Sequence, residues 1–217
     1  MSRGVSVRGQ LVPPELLEGQ VLPEEGALLR RLARTVRASH VIVELGSYTG
    51  KSTCCLATGS AEGNRALIYA VDLWTDGTYD EETHGFYKYD PASGEEQRNS
   101  KFSRPRAQEI FKERVGDYDP LRLVKPMQGM TTIAANEFAR ERIGLLFIDA
   151  DHRYEAVRAD FEAWEPKVAE GGVVAFHDYK SLREGDGVKR FVDEELFGHG
   201  WREYASVGSL LAVKRDA

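Results

Sequence analysis

Residues 41–53, which read V-I-V-E-L-G-S-Y-T-G-K-S-T, constrain this chain more than any other stretch. Their first part is short, apolar and β-branched, as in a strand covered on both faces. Gly46 and Gly50 then let the backbone turn sharply and pass close to a ligand. Ser52 and Thr53 are suited to opening a helix. A strand, a glycine loop and a helix start in that order form the unit with which open α/β sheets hold nucleotide-like cofactors.

Three ligands compete for this loop. Gly50-Lys51-Ser52-Thr53 imitates the end of a phosphate-binding P-loop, but that motif needs a glycine five residues before Gly50, where the chain has Leu45. A dinucleotide fingerprint needs two glycines two positions apart, and Tyr48 stands where the second would be. Glu44, at the strand end, would repel a pyrophosphate and attract a cation. That charge favours a ligand with a positive end, such as S-adenosylmethionine (SAM).

Composition narrows the class. The 217 residues suffice for one α/β domain with a full core, expected over residues 23–217 behind an N-terminal arm of residues 1–22. With 35 acidic against 29 basic residues and a formal net charge of −6, there is no electrostatic case for nucleic acid. No apolar run is long enough for a bilayer, and no signal peptide is read, so no membrane partner is expected. The two cysteines, Cys54 and Cys55, are adjacent and cannot readily bridge within a helix. They imply a reduced, cytoplasmic protein. A thiol near a helix N-terminus can be activated, but small buried hydrophobes are the simpler reading.

Strand and helix patterns alternate along the rest. A helix is expected from Pro23, with Ala27, Leu28, Leu32 and Val36 on its apolar face. Further strands are expected at 66–71, 121–124, 145–148 and 173–176, with helices near 131–140 and 188–197. Tyr154, Val157, Phe161, Trp164 and Val168 recur at helical spacing. Segments 201–204 and 210–213 read as a terminal antiparallel pair. This alternation predicts a Rossmann-like, doubly wound, mostly parallel sheet with helices on both faces.

Several side chains at predicted strand ends carry chemistry. Asp72 follows Glu44 by 28 residues, one strand–helix–strand step, and is placed to accept both ribose hydroxyls; the alternative is a solvated acid or a turn cap. Asp149 and His177-Asp178 end two strands separated by one crossover helix. Adjacent strands lie about 4.8 Å apart, so these groups can converge on a divalent cation. The alternative for His177 is a strand-end hydrogen-bonding role. His152 and Asp151 compete as general base, and an imidazole of ordinary pKa ~6.5 suits proton removal at neutral pH. Residues 74–104 lack clean periodicity and hold Trp74, Tyr79, Phe86, Tyr87, Tyr89 and Phe102. They read as an acceptor-side lid, or as an insertion used for dimer contacts.

Glu44-Leu-Gly46-Ser-Tyr-Thr-Gly50 resembles the first motif of class I SAM-dependent methyltransferases. Phe147-Ile-Asp149-Ala-Asp151-His152-Arg-Tyr154-Glu-Ala-Val157 and Gly171-Gly172-Val-Val-Ala-Phe176-His177-Asp178-Tyr179 extend the resemblance, in the same order. Together they resemble the branch with macrocin-type sugar O-methyltransferases and cephalosporin hydroxylase-like proteins, over residues 23–213. The resemblance implies SAM bound by Glu44, Gly46, Ser47, Tyr48, Gly50, Ser52, Asp72, Gln128 and Asp149, with the Gln128-Gly129-Met130 stretch at the adenine. It implies a magnesium ion on Asp149 and on two acidic residues at 177 and 178, where this chain has His177 and Asp178. Imidazole suits softer divalent ions better, so weaker magnesium binding, a transition metal or no metal are all open. Both Asp151 and His152 match residues given the base role in members of the family; His152 is preferred here. The expected activity is metal-assisted O-methylation of a small molecule, a sugar or natural-product scaffold, by a homo-oligomer. The alternative is a SAM-binding partner subunit of an oxygenase or assembly that transfers no methyl itself.

Overall fold

The structure is a computed structural model that describes residues 11–74, 78–80, 85–87, 104–140, 142–180 and 187–216, with the backbone alone at 78–80, 85–87 and 104–106. In chain order the main elements are α1 (Pro23–Thr35), β1 (Val41–Leu45), α2 (Lys51–Glu62), β2 (Leu67–Asp72), β3 (Thr78–Asp80), β4 (Gly85–Tyr87), α3 (Arg104–Tyr118) and β5 (Val124–Gln128). There follow α4 (Thr131–Ala134), β6 (Ile143–Ile148), α5 (Tyr154–Trp164), β7 (Val168–Phe176), α6 (Gly187–Phe191), β8 (Trp201–Val207) and β9 (Leu210–Arg215). Seven strands form one sheet in the order β5-β2-β1-β6-β7-β9-β8, and β3 pairs with β4 in a separate ribbon. The first five are parallel, and β9 runs antiparallel to both β7 and β8. The doubly wound sheet with an antiparallel C-terminal pair is as expected.

The sheet is dry because both its faces are covered. Val43, Leu45 and Leu146 pack on one side with Trp164 and Phe161 of α5; Ile42, Leu145 and Phe147 pack on the other with Leu28, Leu29 and Leu32 of α1. This explains why β1 and β6 read as continuous apolar runs rather than alternating ones. In the arm, Leu17 and Val21 are buried, and the Tyr118 hydroxyl donates to the Val12 carbonyl at 2.6 Å. Among the described residues no helix is long and apolar enough to cross a membrane.

Four elements differ from the sequence reading. The third strand of the parallel set begins at Val124, not residue 121, and Leu121 is exposed. It carries Pro126 because it is an edge strand with β2 as its one neighbour. The helix expected at 131–140 is one turn plus a 3-10 turn, Ala135–Glu137. Phe138 leaves the helical path to set its ring 5.0 Å from Trp164 and 4.8 Å from Tyr69. The one near 188–197 is α6 followed by a wide π turn, Val192–Leu196. The sequence reading did not anticipate α3, whose buried contacts are the narrow seam Ala107, Phe111 and Tyr118.

What positions the site is the way the parallel ladder continues past the strand ends. Gly129 N–H donates to Asp72 C=O (3.0 Å), Gly46 N–H to Val71 C=O (2.8 Å), Asp149 N–H to Leu45 C=O (2.9 Å) and His177 N–H to Ile148 C=O (3.1 Å). The first residues after β5, β1, β6 and β7 are thereby lined up with the end of β2 along one edge of the sheet.

Candidate active site

The loop after β1 is built on a buried carboxylate. Glu44 is 0% exposed, and its Oε2 accepts from the hydroxyls of Ser47 (2.8 Å) and Thr53 (2.5 Å), with Ser52 on the same carboxylate. Its Oε1 has no partner among the described residues. Burial pushes the Glu44 pKa up to about 7 against the pull of the three hydroxyls, with the Asp149 charge adding to the rise. An orphaned, wholly buried acceptor is costly, and it is what a cationic group of a ligand would relieve.

Glycine is required twice in this loop. Gly46 has φ +88°, and a Cβ there would lie 2.2 Å from the Asp149 carbonyl oxygen. Gly50, the residue before α2, has φ +81°, and a Cβ there would press on the Phe111 ring at 2.9 Å. Between them Tyr48 has φ +43°. Its phenol packs against the core rather than outward, with the hydroxyl buried and unpartnered among the described residues. Tyr48 therefore faces a ligand with backbone.

Asp72 lies at the end of β2 as expected, buried, with one carboxylate oxygen on Tyr48 N–H and the other on Trp74 N–H, each at 2.8 Å. A carboxylate has more acceptor sites than those two, so the ribose role is compatible with this bracing. Gln128, at the end of β5, is exposed and donates to the Leu73 carbonyl at 3.1 Å. Trp74, read from the sequence as part of an acceptor lid, is 3% exposed and packs its ring at a tilt against Phe111 beneath the loop. It is a core residue, spent on the cofactor side. Of the other lid aromatics, Tyr89 and Phe102 and the side chains of Tyr79, Phe86 and Tyr87 lie outside the described residues.

The second half of the site is a cluster of carboxylates and imidazoles. His152 has Nε2 3.3 Å from Asp149 Oδ1 and Nδ1 3.3 Å from Asp178 Oδ2. Burial lowers the His152 pKa, but the Asp149 hydrogen bond and the charges of Asp149 and Asp178 outweigh it, so the ring lies above its ordinary value. Asp178 adopts φ +57°, a strained conformation for a non-glycine residue. Behind these, His177 is 5% exposed. Its Nδ1 faces Asp149 (3.2 Å) and Asp178 (3.4 Å), and its Nε2 faces Glu25 Oε2 (3.1 Å). Burial works against its charge, but the Asp149 charge, with bonds to Asp149, Asp178 and Glu25, lifts its pKa far above the ordinary value. Burial raises the Asp149 pKa, yet His177 and His152 hold it down at about 2.

This geometry bears on two assignments. His177 was expected as a metal ligand, but both ring nitrogens are taken up by carboxylates and one of these, Glu25, comes from α1. The atoms that can share one ion are those of Asp149, His152 and Asp178, all within 4.8 Å of one another. That mixed oxygen and nitrogen set fits a transition-metal ion better than magnesium. Asp151, the competing base, turns outward to Arg153, with Oδ2 accepting from Nη2 at 2.7 Å. Glu25 itself was missed. It is 0% exposed and also accepts from Leu22 N–H (2.7 Å), Ser209 N–H (2.7 Å) and the Ser209 hydroxyl (2.9 Å). As one of two acids after Pro23 it reads only as the start of a helix. Cys54 and Cys55 are buried and free, and burial pushes the Cys55 thiol up to about 12, which leaves them no role as nucleophiles.

A family described as "Methyltransferase domain" matches residues 43–179, from β1 to just past Asp178. The chain belongs to this family of class I SAM-dependent methyltransferases. A curated relative of this chain, the uncharacterized protein y4gI of Sinorhizobium fredii (strain NBRC 101917 / NGR234), is 30% identical over 170 residues, 76% of this chain. The chain spans only 15% of that relative's length. Among solved structures, the O-methyltransferase TomG of Streptomyces achromogenes, involved in tomaymycin synthesis and determined in complex with SAM, has a TM-score of 0.57 and 18% identity, over 91% of this chain and 82% of that one. An O-methyltransferase from Bacillus cereus in complex with SAH has a TM-score of 0.59 and 18% identity, over 92% and 84%. An rRNA methylase from Streptococcus thermophilus has a TM-score of 0.56 and 13% identity, over 93% and 99%. The shared fold thus serves very different acceptors, and the acceptor must be argued from the site.

Proposed function

We propose that this methyltransferase moves the methyl group of SAM to a hydroxyl oxygen of a small molecule. SAM would lie on the loop from Glu44 to Ser52 with its ribose on Asp72, and His152 would act as general base. The observation that carries the reading is the contact between the two halves of the site. Gly46, in the cofactor loop, packs directly on the Asp149 backbone, and Asp149 holds His152. A methyl donor on the loop would therefore lie beside the cluster that manages protons. The net charge of −6 argues for a small acceptor over nucleic acid.

In the reaction the acceptor oxygen attacks the methyl carbon, the carbon–sulfur bond breaks, and its electron pair stays on sulfur to give S-adenosylhomocysteine. The acceptor proton passes to His152. The ring can take it when the acceptor hydroxyl replaces one carboxylate at a ring nitrogen while the other nitrogen keeps its N–H on the remaining carboxylate. The Glu44 oxygen without a partner would receive the cofactor's ammonium group. A divalent ion held by Asp149 and Asp178, with His152 left free of it to act as base, would lower the pKa of the acceptor hydroxyl. His177, clamped by Glu25, keeps those two carboxylates oriented.

Thermal unfolding with SAM, ATP or NAD, each with a divalent metal or EDTA, tests the cofactor. Ligand at 100 times its dissociation constant stabilises by roughly 2.7 kcal/mol. A response to ATP with none to SAM would sink the reading. Methyl-labelled SAM with a panel of glycosides and phenols then finds the acceptor. In the active pair, His152→Gln should cut turnover by roughly 10²–10⁴-fold with SAM affinity preserved; unchanged turnover removes His152 from the mechanism.

A further inference from the structure

The cofactor loop has a residue of the wrong kind at its middle. Tyr48 (φ +43°) and Trp74 (φ +41°) both occupy the left-handed region, which residues with a side chain rarely adopt. The loop's shape therefore cannot come from glycine's freedom at that point, and something outside the loop must impose it.

The braces are identifiable. Asp72 takes Tyr48 N–H on one carboxylate oxygen and Trp74 N–H on the other. The Trp74 indole N–H returns to the Tyr48 carbonyl at 2.8 Å, closing a ring of three residues around two strained backbones. The next residue, Thr49, is held from α3, where Arg114 Nη1 donates to its hydroxyl at 2.8 Å and to its carbonyl at 3.2 Å. Gly50 then rests on Phe111, one helical turn before Arg114 and in ring contact with Trp74 at 4.7 Å. Three consecutive loop residues are gripped by four side chains from beyond the loop, those of Asp72, Trp74, Arg114 and Phe111.

We propose that Trp74 and Arg114 are positioning residues for the cofactor, setting SAM affinity through the Tyr48 and Thr49 backbone without touching SAM. This rests on the reading that SAM lies on the Glu44–Ser52 loop. Trp74 directly precedes residues 75–103 in sequence, and Arg114 follows them on α3.

Isothermal titration of SAM and of S-adenosylhomocysteine tests the assignment, with melting of the unliganded protein as the control. Trp74→Phe keeps the ring on Phe111 and deletes one N–H, leaving the Tyr48 carbonyl without its donor. Arg114→Met deletes both bonds to Thr49, and Arg114→Lys keeps a single donor. Trp74→Phe and Arg114→Met should each weaken both ligands by about tenfold, as expected for a loop acceptor left unpaired. Arg114→Lys should recover part of that loss, and in each variant the loss of SAM affinity should exceed the loss of unliganded stability. Binding within about twofold of wild type in Trp74→Phe and Arg114→Met overturns the proposal. Weakening matched by an equal loss of unliganded stability also overturns it, since that is the mark of a merely structural role. Wild-type protein that binds neither ligand brings down the cofactor reading as well, whereas wild type that binds beside unaffected variants brings down the bracing alone.

Discussion

Two glutamates at the same edge of the sheet are both wholly buried, and they behave oppositely. Glu25 receives four hydrogen bonds, one from a histidine ring that faces carboxylates on both sides, and its pKa is about 2 despite the burial that works to raise it. Glu44 receives neutral hydroxyls on one oxygen and, among the described residues, nothing on the other, and its pKa is about 7. Burial is common to both, so burial does not decide the charge. Partners do: a cationic neighbour and backbone N–H groups offset desolvation, whereas hydroxyls offset only part of it. Glu25 is therefore complete within the fold, a fastener of α1, the β8–β9 turn and His177. Glu44 keeps an open acceptor among the described residues, and the cationic ligand group proposed above would fill it.

The largest expected effect comes from cutting the complete one. Glu25→Ala leaves His177 buried with no carboxylate on one side and releases Ser209 and Leu22. Breaking a buried pair from one side costs about 3–5 kcal/mol, so urea unfolding should register a loss of that order. A loss under about 1 kcal/mol, as for a surface pair, would break the comparison by making Glu25 dispensable. Glu44→Gln should do the reverse. The neutral side chain keeps an acceptor for Ser47 and Thr53 while removing the buried charge, so stability at pH 8 should equal or exceed wild type. SAM affinity should fall by about tenfold, the scale of a hydrogen bond to a charged group. A destabilised Glu44→Gln with normal SAM affinity would mean that both glutamates are fasteners.

The same contrast explains what could be read from the sequence. Glu44 was legible because its role is local: strand, acid and glycine loop are contiguous, and Ser47, Ser52 and Thr53 lie within nine residues of it. Asp149, His177 and Asp178 were legible as strand ends, since parallel strands bring their ends together. Glu25 was invisible because its partners, His177 and Ser209, are 152 and 184 residues away. The Glu25 contact of His177 could not be read for that reason: the carboxylate that faces its second nitrogen arrives from a helix whose pattern announces only packing. Trp74 misled in the opposite direction, since an aromatic at the start of an aperiodic stretch resembles a lid residue until α3 is known to lie against it. That helix went unread because Ala107, Phe111 and Tyr118 are a thin apolar seam among charged residues.

The smallest effect is a difference in slope with pH. The folded protein keeps a proton on Glu44 up to about pH 7, whereas an unfolded glutamic acid releases it near pH ~4.5. Glu44's contribution is thus fully present below that lower value and is lost as pH rises to about 7. For Glu25 the folded value is about 2, so its contribution is present above pH ~4.5 and is lost as pH falls towards 2. Urea unfolding from pH 3 to 8 should therefore give Glu44→Gln a growing advantage over wild type on the way from about pH 5 to 7. Glu25→Gln should fall progressively behind wild type on the way up from pH 3. Saturating SAM should flatten the wild-type slope in the upper window, because a cation at the open oxygen favours the charged carboxylate. A wild-type curve that keeps its slope when SAM is bound would separate the orphaned oxygen of Glu44 from the cofactor and send the search for its partner elsewhere.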